Sequence, residues 1–239
     1  MKKLVVITGA SSGIGAQIAK DLSQAGHPLL LLARRVELME GLNLPNTMCR
    51  SVDVTKLDQV KAAIEEAENL YGKVDCLINN AGVMLLGHPE EQDYEEWSTM
   101  VDVNVKGILT GTNVVLKDMV TRNEGTIINI SSIAGRKTFG NHAVYCGTKF
   151  AVHAITENMR EEVAASQVRV TLVAPGVVET PLLSHTTNST IKEDYTGWKK
   201  SIEGGLDPVE ISKCVQFIYN APQDVCVREI VIAKTKQEG

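Results

Sequence analysis

The sequence predicts an α/β fold in which a seven-stranded parallel sheet is doubly wound and carries helices on both faces. Three observations lead to this fold. Short runs rich in β-branched and apolar residues alternate with longer amphipathic segments along the whole chain. These runs are apolar at successive positions, which is typical of strands buried between two layers of helices. A glycine-rich stretch directly follows the first run, where a strand would turn into a helix.

The predicted elements alternate in type along the chain. We expect strands near residues 4–8, 28–33, 49–53, 74–78, 126–131, 168–174 and 228–233. We expect helices near residues 14–25, 56–71, 93–122, 143–165 and 208–220, with a further short helix over Thr190–Ser201. Since the sequence contains neither an internal repeat nor a low-complexity linker, it predicts one domain that spans residues 1–239.

The composition restricts the classes of function. With 239 residues, of which 44% are hydrophobic, the chain can bury a large core. A net charge of −5, scattered Lys and Arg and only 4% aromatic residues disfavour a nucleic-acid partner. No apolar run is long enough for a membrane span or a signal peptide, so we expect a cytoplasmic protein with no membrane partner. Five cysteines without a C-x-x-C pair indicate reduced, mostly buried thiols, and the histidines show no metal-binding spacing.

The turn after the first predicted strand contains Gly9, Gly13 and Gly15. A tight turn alone needs fewer glycines, whereas backbone N–H groups without a neighbouring Cβ can approach a phosphate closely. The next helix is amphipathic, with Ile18 and Leu22 on one face, and it directs its positive end at the same place. We therefore expect a nucleotide phosphate here, with a simple strand-to-helix turn as the alternative.

The second predicted strand ends in Ala33-Arg34-Arg35. In sheets that bind dinucleotides, an acidic side chain near this place binds the ribose 2′-hydroxyl of NAD. Here the small Ala33 stands there, and two guanidinium groups that match the geometry of a phosphate follow it. The pattern favours NADP(H) over NAD(H), with two solvated arginines at a helix start as the alternative.

Two further strand ends carry candidate cofactor contacts. Asp53, within Val52-Asp53-Val54, can accept a hydrogen bond from an adenine amino group or can cap the next helix. The stretch Asn79-Asn80-Ala81-Gly82 ends the fourth predicted strand, and it can present its backbone to a ribose or simply form a turn.

The most informative spacing is that of Ser131, Ser132, Tyr145 and Lys149. Tyr145 and Lys149 share one face of a predicted helix, and the serines end a strand at the carboxyl edge of the sheet. Reduction of a carbonyl group by a nicotinamide needs a proton donor at the carbonyl oxygen. A tyrosine whose pKa is lowered by a neighbouring ammonium group can supply that proton, and a serine hydroxyl can hold the oxygen. The alternative is an ordinary surface pair of Tyr and Lys.

Residues 181–207 form one long irregular stretch after the sixth predicted strand. Ligands bind beyond the carboxyl ends of the strands in doubly wound sheets, so this stretch is either a substrate lid or an ordinary surface excursion. We expect a partly apolar substrate pocket, formed by Ile133, Ala134, Val177, Leu182 and Leu183. His142 and His185 either line this pocket or serve as packing or surface residues.

Together these motifs resemble those of the short-chain dehydrogenase/reductase family, in its branch with a single Rossmann-type domain. The resemblance covers nearly the whole chain and rests on Thr8-Gly9-x-x-x-Gly13-x-Gly15, on Asn79-Asn80-Ala81-Gly82, and on Ser132, Tyr145 and Lys149 at the family's spacing. Asn104 matches a fourth catalytic position, which implies a local break in a long helix and a water that links the lysine to solvent. The stretch from Pro175 to Thr180 matches the family's segment after the sixth strand, whose threonine contacts the nicotinamide carboxamide.

The resemblance implies a set of site residues. The catalytic residues are Asn104, Ser132, Tyr145 and Lys149, with Tyr145 as general acid/base and Lys149 as the group that lowers its pKa. The cofactor-binding residues are Gly9, Ser11, Ser12, Gly13, Ile14, Gly15, Arg34, Arg35, Asp53, Val54, Asn80, Ala81, Gly82, Tyr145, Lys149, Pro175, Gly176, Val178 and Thr180. The family also implies a homotetramer, or a dimer, that packs through the helices near 93–122 and 143–165.

Two functions follow from the resemblance. The first is an NADP(H)-dependent oxidoreductase that transfers a hydride between the nicotinamide and a small alcohol or carbonyl substrate. Residues 81–87 and 131–135 are also similar to two bacterial groups of the family, the clavulanate-dehydrogenase-like ketoreductases and the NADPH-dependent blue fluorescent proteins. The second function is therefore the binding of NADPH with enhanced blue fluorescence and incidental catalysis. Because Tyr145 and Lys149 are both kept, we expect the first.

Overall fold

The computed structural model describes residues 2–238, and a parallel sheet forms its centre. The strands are β1 (Leu4–Thr8), β2 (Leu29–Ala33), β3 (Thr47–Ser51), β4 (Val74–Asn79), β5 (Gly125–Ile130), β6 (Val168–Pro175) and β7 (Glu229–Ile232). They pair in parallel in the order β3-β2-β1-β4-β5-β6-β7. The helices are α1 (Gly13–Gln24), α2 (Val36–Glu40), α3 (Leu57–Tyr71), α4 (Tyr94–Val101), α5 (Gly107–Thr121), α6 (Ala143–Glu162), α7 (Ser189–Ser201) and α8 (Pro208–Asn220).

The core lies on both sides of the sheet, because neighbouring residues of a strand point to opposite faces. In β1, Val5 and Ile7 belong to a cluster with α1 and α8, whereas Leu4 and Val6 belong to a cluster with α3 and α5. All four side chains are fully buried. Strands covered on both sides need apolar residues at successive positions, and this is the pattern that led to the prediction. The predicted fold, a doubly wound Rossmann-type sheet of seven parallel strands, is confirmed.

The strand order changes direction next to β1, which pairs with β2 on one side and with β4 on the other. The connection after β1 therefore turns one way and the connection after β4 turns the other way. A crevice opens at such a point beyond the carboxyl ends of the two strands. The glycine-rich turn after β1 and the stretch Asn80–Gly82 after β4 both reach this crevice.

Strand β3 begins and ends two residues before the predicted range of 49–53. Asn46, with a φ of 49°, makes a left-handed turn, so Thr47 is already paired with Leu29. Asp53 and Val54 therefore lie in the loop after the strand and do not end it. Helix α2 is absent from the prediction, because only Met39 among its five residues is buried and so short a segment shows no periodicity.

The long helix predicted over 93–122 is divided into α4 and α5 by a π-helical turn, Asp102–Lys106. Such a turn inserts an extra residue into the helical ladder and changes the direction in which the neighbouring side chains point. Asn104 lies in this turn and is fully buried. The local break that the family resemblance implies is therefore present.

Residues 181–207 contain a 3-10 turn, Pro181–His185, and helix α7, which agrees with the short helix expected over Thr190–Ser201. The segment returns beside the point where it leaves. The Leu206 N–H donates to the Val177 carbonyl at 2.8 Å, and the Leu206 carbonyl accepts from the Glu179 N–H at 2.9 Å. We call residues 181–207 the excursion below.

Two expectations from composition concern the cysteines and the membrane. All five cysteines are free thiols, but only Cys76 and Cys146 are buried, and Cys226 is exposed. The expectation of mostly buried thiols is therefore wrong. Within residues 2–238, no helix combines the length and the apolar character that crossing a membrane requires.

Candidate active site

Two cavities meet at the carboxyl edge of the sheet. The first has a volume of about 440 Å³ and extends from the glycine turn along the ends of β2 and β3. The second has a volume of about 320 Å³ and lies between the end of β6 and the excursion. Both cavities are lined by the same five residues at their junction, namely Ile14, Ser131, Tyr145, Thr180 and Leu182.

The three glycines of the turn after β1 each have a structural reason. Gly9 and Gly13 have φ values of 65° and 54°, a conformation that other residues rarely adopt. A Cβ on Gly15 would lie 2.5 Å from the Asn80 Nδ2 and from the Gly9 carbonyl oxygen, so only glycine fits. The turn can thus hold its backbone N–H groups at the cavity surface, where Gly9 and Gly13 line it.

The turn after β4 holds the glycine turn in place. The Asn80 Nδ2 donates to the carbonyl oxygens of Thr8 and Gly9 at 3.0 and 3.2 Å. The Thr8 hydroxyl accepts from the backbone N–H groups of Asn80 and Ala81 at 3.0 and 3.1 Å. The amide of Asn80 is therefore used to join two loops, and Ala81 and Gly82 line the first cavity.

The two arginines after β2 lie at the rim of the first cavity, as the sequence predicts. Both are exposed. The Arg35 Nη2 donates to the hydroxyls of Ser11 and Ser12 at 3.3 and 3.5 Å, which places this guanidinium above the glycine turn. Two cations and two hydroxyls thus converge at one place on the rim, and no carboxylate is paired with either arginine among the ion pairs of residues 2–238.

Asp53 and Val54 also line the first cavity, but the carboxylate of Asp53 is already engaged. Its Oδ1 accepts from the backbone N–H and the hydroxyl of Thr55 at 2.9 and 2.8 Å. These bonds fix the loop that leads into α3, although the residue before the first turn of α3 is Lys56. Asp53 therefore shapes this part of the cavity wall, and its predicted bond to an adenine stays a prediction.

The Asn104 side chain forms hydrogen bonds with the backbone of the loop after β4. Its Oδ1 accepts from the Val83 N–H at 2.8 Å, and its Nδ2 donates to the Val83 carbonyl at 2.9 Å and to the Thr148 hydroxyl at 3.1 Å. The amide thus satisfies both backbone groups of Val83 and connects the π-helical turn with α6. The water that the family resemblance implies at this position stays a prediction.

Three of the four predicted catalytic side chains, those of Ser132, Tyr145 and Lys149, lie around the junction of the two cavities, whereas Asn104 lines neither cavity. Tyr145 and Lys149 lie on one face of α6, and both are buried. The Lys149 Nζ lies 5.8 Å from the centre of the Tyr145 ring and donates to the Ile130 carbonyl at 3.2 Å. Ser132 follows β5, and its hydroxyl accepts from the Ala134 N–H at 3.1 Å and interacts with the Tyr145 phenol. The phenol faces the cavities and not bulk solvent, since Tyr145 is only 6% exposed.

The electrostatics of this trio differ from the expectation in one respect. Burial raises the pKa of Tyr145 above its ordinary value, and the hydrogen bond with Ser132 opposes that rise. The same burial lowers the pKa of Lys149 to about 8. The predicted lowering of the tyrosine pKa by Lys149 is therefore not found, because burial is the largest influence on the pKa of both groups. At neutral pH Tyr145 is a phenol that can donate a proton.

The residues predicted to bind the cofactor at the end of β6 and after it all line a cavity. Pro175, Gly176 and Val178 line the second cavity, whereas Thr180 lies at the junction. The Thr180 hydroxyl accepts from the Leu182 N–H at 3.4 Å and so begins the 3-10 turn of the excursion. Of the predicted apolar pocket residues, Ile133, Ala134, Val177, Leu182 and Leu183 all line the second cavity.

Several lining residues were not selected from the sequence. In the first cavity these include Thr99, Asp102, Val103 and Ser184, and His185 lies there too. In the second cavity they include Phe139, Tyr195 and Trp198 beside His142. The spacing of Tyr195 and Trp198, three residues apart on a short helix, is the one signal that sequence reasoning could have used. Thr99 and Asp102 reach the cavity only because of how α4 packs, which no local pattern reveals.

Comparisons with known proteins identify the family of the chain. A family model described as short chain dehydrogenase matches residues 3–190. An uncharacterised oxidoreductase of Staphylococcus saprophyticus is 41% identical over 241 residues, which cover 98% of this chain and 97% of the relative.

Solved structures give the same result. The closed form of a serine dehydrogenase complexed with NADP+ superposes with a TM-score of 0.91 at 30% identity, over 99% of this chain and 96% of that chain. A variant of an actinorhodin polyketide ketoreductase with NADPH has a TM-score of 0.86 at 27% identity, over 98% and 96% of the two chains. Similarity over the full length, together with the arrangement of Ser132, Tyr145 and Lys149, leads to one conclusion: the chain belongs to the short-chain dehydrogenase family of oxidoreductases.

Proposed function

We propose that the protein is an NADP(H)-dependent oxidoreductase that interconverts an alcohol and a carbonyl compound. The observation that carries this proposal is the position of Tyr145, whose buried phenol lies at the junction of two cavities beside Ser132 and Lys149. One cavity has backbone and guanidinium donors that suit a dinucleotide, and the other is mostly apolar. A proton donor between them is what carbonyl reduction requires.

The first cavity suits a dinucleotide with a 2′-phosphate. The glycine turn offers backbone N–H groups to the pyrophosphate, and Arg34, Arg35, Ser11 and Ser12 offer donors to the 2′-phosphate. Two of the similar solved structures hold NADP+ or NADPH, which supports the same choice. When bound, this cofactor supplies or accepts the hydride.

Three side chains supply the rest of the chemistry. The Ser132 hydroxyl, which accepts from the Ala134 N–H and interacts with the Tyr145 phenol, can turn its hydrogen toward a substrate oxygen. Tyr145, whose pKa is raised by burial, holds its proton at neutral pH and can give it to the same oxygen as charge develops there. Lys149 uses one N–H for the Ile130 carbonyl, and its remaining hydrogens are available to a ribose hydroxyl.

The decisive variant is Tyr145→Phe, which removes the phenolic hydroxyl and keeps the ring. We expect turnover on a panel of ketones and aldehydes to fall about 10²- to 10⁴-fold, because general acid catalysis is lost. NADPH affinity, measured by fluorescence titration, should change little. An unchanged rate on a verified substrate contradicts the proposal, and Ser132→Ala should reduce turnover in the same assay.

The second candidate function is the binding of NADPH with enhanced blue fluorescence and incidental catalysis. It is less favoured, because a protein selected only for binding does not need a buried phenol, ammonium and hydroxyl at one place. Strong NADPH emission without turnover of any alcohol or carbonyl compound would favour it over the first.

A further inference from the structure

The second cavity concentrates aromatic side chains. The chain contains three Phe, five Tyr and two Trp, and four of these ten line this one cavity, namely Phe139, Tyr145, Tyr195 and Trp198. In a protein with only 4% aromatic residues, such a concentration indicates a specific ligand surface. Met84, Leu86 and Ile133 cover much of the remaining wall.

The aromatic rings form a continuous series from the rim to the phenol. Trp198 and Tyr195 have ring centres 5.3 Å apart in an edge-to-face arrangement, and the Tyr195 ring lies 6.2 Å from the His142 ring. The His142 ring in turn lies 6.1 Å from that of Tyr145 and 5.8 Å from that of Phe139. A planar ring of a substrate can continue this series toward the reacting oxygen, because offset and edge-to-face contacts are the favoured aromatic geometries.

The cavity offers no cation to a negatively charged substrate. Lys199 is the only lysine or arginine of residues 2–238 that lines it, and its Nζ already donates to the Glu179 carboxylate at 2.6 Å. Asp194 adds a negative charge at the rim. A carboxylate or phosphate placed in this mostly apolar space would lose its water without gaining a partner.

The histidine among the rings is neutral at pH 7. Its Nδ1 donates to the Gly140 carbonyl, which can only accept, so the lone pair is on Nε2. Burial lowers the pKa of His142 and this hydrogen bond opposes the change. His142 therefore contributes a ring and not a fixed charge.

The outer part of the aromatic series has free surface. Trp198 is 37% exposed although it lines the cavity, and Tyr195 is half-buried. Pro175, Gly176 and Val178, the residues expected at the nicotinamide end of the cofactor, lie at the end of β6 or directly after it, whereas Tyr195 and Trp198 lie on α7. The cofactor and the substrate can therefore contact different parts of the cavity lining.

We propose that the substrate carbonyl is attached to, or close to, an uncharged aromatic ring that packs against Tyr195 and Trp198. This inference rests on the proposed function for the reaction itself, but it concerns the recognition of the substrate and has its own test. The substrate class is that of neutral aryl ketones and aldehydes, together with the corresponding alcohols.

Three matched compounds test this class: acetophenone, cyclohexyl methyl ketone and 4-acetylbenzoate. The first two differ in aromaticity at similar size, and the third adds a carboxylate to the first. We expect the KM for acetophenone to be about five- to ten-fold below that for the cyclohexyl ketone, which corresponds to the usual strength of aromatic contacts. The carboxylate should be the poorest substrate of the three.

A binding measurement makes the test independent of turnover. In the variant Trp97→Phe, Trp198 is the only tryptophan of the chain. We expect acetophenone to quench its fluorescence saturably in protein loaded with NADP+, and we expect no such quenching in the matched variant Trp198→Phe, which keeps Trp97. Equal quenching in both variants overturns the placement of the ring.

Variants of the aromatic wall complete the design. Trp198→Leu and Tyr195→Leu should raise the KM for acetophenone about ten-fold and leave that for the cyclohexyl ketone within about two-fold. Tyr195→Phe, which keeps the ring, should leave the KM for acetophenone at its wild-type value. Phe217→Leu, at an exposed aromatic residue of α8, is the control that should change neither.

The outcomes separate this inference from the proposed function. The inference is overturned if 4-acetylbenzoate is the preferred substrate, or if the wall variants affect both neutral ketones equally. Turnover of any of these compounds would still uphold the proposed function. Saturable quenching of Trp198 without turnover of any compound upholds the aromatic site and contradicts the proposed function. As a further check, Asp194→Arg supplies a free cation and should improve 4-acetylbenzoate relative to acetophenone.

Discussion

Lys149 is a buried amine, and its environment is costly for a charged group. Burial lowers its pKa from the ordinary 10.5 to about 8, so the folded protein binds this proton less tightly than the unfolded chain does. A lysine that only had to fill space would be replaced by an apolar side chain at a gain in stability. Its presence beside Tyr145 is therefore evidence for a chemical role.

The replacement Lys149→Met should raise the free energy of unfolding at pH 7 by up to about 3 kcal/mol, because an apolar side chain of similar length lacks the penalty that lowers the lysine pKa from 10.5 to about 8. Because the unfolded chain holds the proton up to pH 10.5 and the folded chain only up to about 8, the wild type gains stability as pH rises between these values. The difference between variant and wild type should therefore shrink over that range. Urea titrations at pH 7 and 9.5 measure it, with exposed Lys61→Met as the control. A difference independent of pH would refute the assigned pKa.

We expect Arg34 and Arg35 at the rim of the first cavity to select NADPH over NADH. We expect the double replacement by Ala to raise the NADPH dissociation constant at least about ten-fold, since each guanidinium makes a charged hydrogen bond. The constant for NADH should change much less, because it has no 2′-phosphate. Fluorescence titrations with both cofactors measure this, and Lys61→Ala with Lys213→Ala removes the same charge at exposed sites elsewhere. Equal losses for both cofactors would show that the arginines do not contact the phosphate.

At the scale of single residues, the sequence was informative where chemistry and local geometry coincide. Tyr145 and Lys149 are one helical turn apart, so their common face follows from spacing alone. The hydrogen bonds from Thr55 to the Asp53 carboxylate depend on where β3 ends, and the predicted end of β3 was two residues too late. The raised pKa of Tyr145 depends on how completely the fold excludes water, which spacing does not contain.

The π-helical turn is the element on which the loop after β4 depends. Replacing Asn104 by Ala removes both partners of the Val83 backbone in a site without exposure to water. We expect a loss of about 2 to 4 kcal/mol in the free energy of unfolding, because buried backbone groups are left unpaired. NADPH affinity should fall as well, since Ala81 and Gly82 line the first cavity.

Denaturant unfolding and a fluorescence titration measure the two effects of Asn104→Ala. Asn113→Ala, on the exposed face of α5, is the matched control and should stay within about 0.5 kcal/mol of the wild type. Stability equal to that of the control would mean that the Asn104 amide does not support this loop.

At the scale of elements, periodicity predicted which helices and strands exist better than it predicted where they begin, end or are interrupted. The amphipathic pattern of 93–122 continues through the π-helical turn, because one extra residue hardly disturbs the apolar face. Only the family resemblance at Asn104 pointed to the break. The short α2 and the early start of β3 depend on tertiary packing and on the left-handed Asn46, neither of which has a periodic signature.

For the whole molecule, the class of the fold follows from the apolar strands, but their order does not. A strand such as Leu29–Ala33, with all five residues buried, requires helices on both faces, and its position beside β1 and β3 is a matter of topology. The order in turn creates the crevice where both cavities lie. The sequence therefore predicted the location of the site through the general rule for such sheets, whereas the aromatic wall came only from the structure.

The predicted assembly of several copies concerns the outer faces of two long helices. Leu109 and Val120 on α5 and Phe150 on α6 are 38%, 40% and 42% exposed, and a partner copy would cover them. We expect light scattering to give the mass of a tetramer or a dimer. Leu109→Glu and Phe150→Glu should shift the mass toward that of a single chain, whereas Phe217→Glu should not. A wild type with the mass of one chain at all concentrations would contradict the prediction.

The hydrogen bonds of Leu206 to Val177 and Glu179 make the excursion a closed detour from the end of β6. Nothing between these anchors belongs to the sheet, so insertions and exchanges there do not shift the register of any strand. Helix α7, which carries Tyr195 and Trp198, can therefore be exchanged while the sheet and the residues at its carboxyl edge stay unchanged. Substitutions confined to this one helix can alter which compounds are accepted, both in evolution and in a laboratory chimaera.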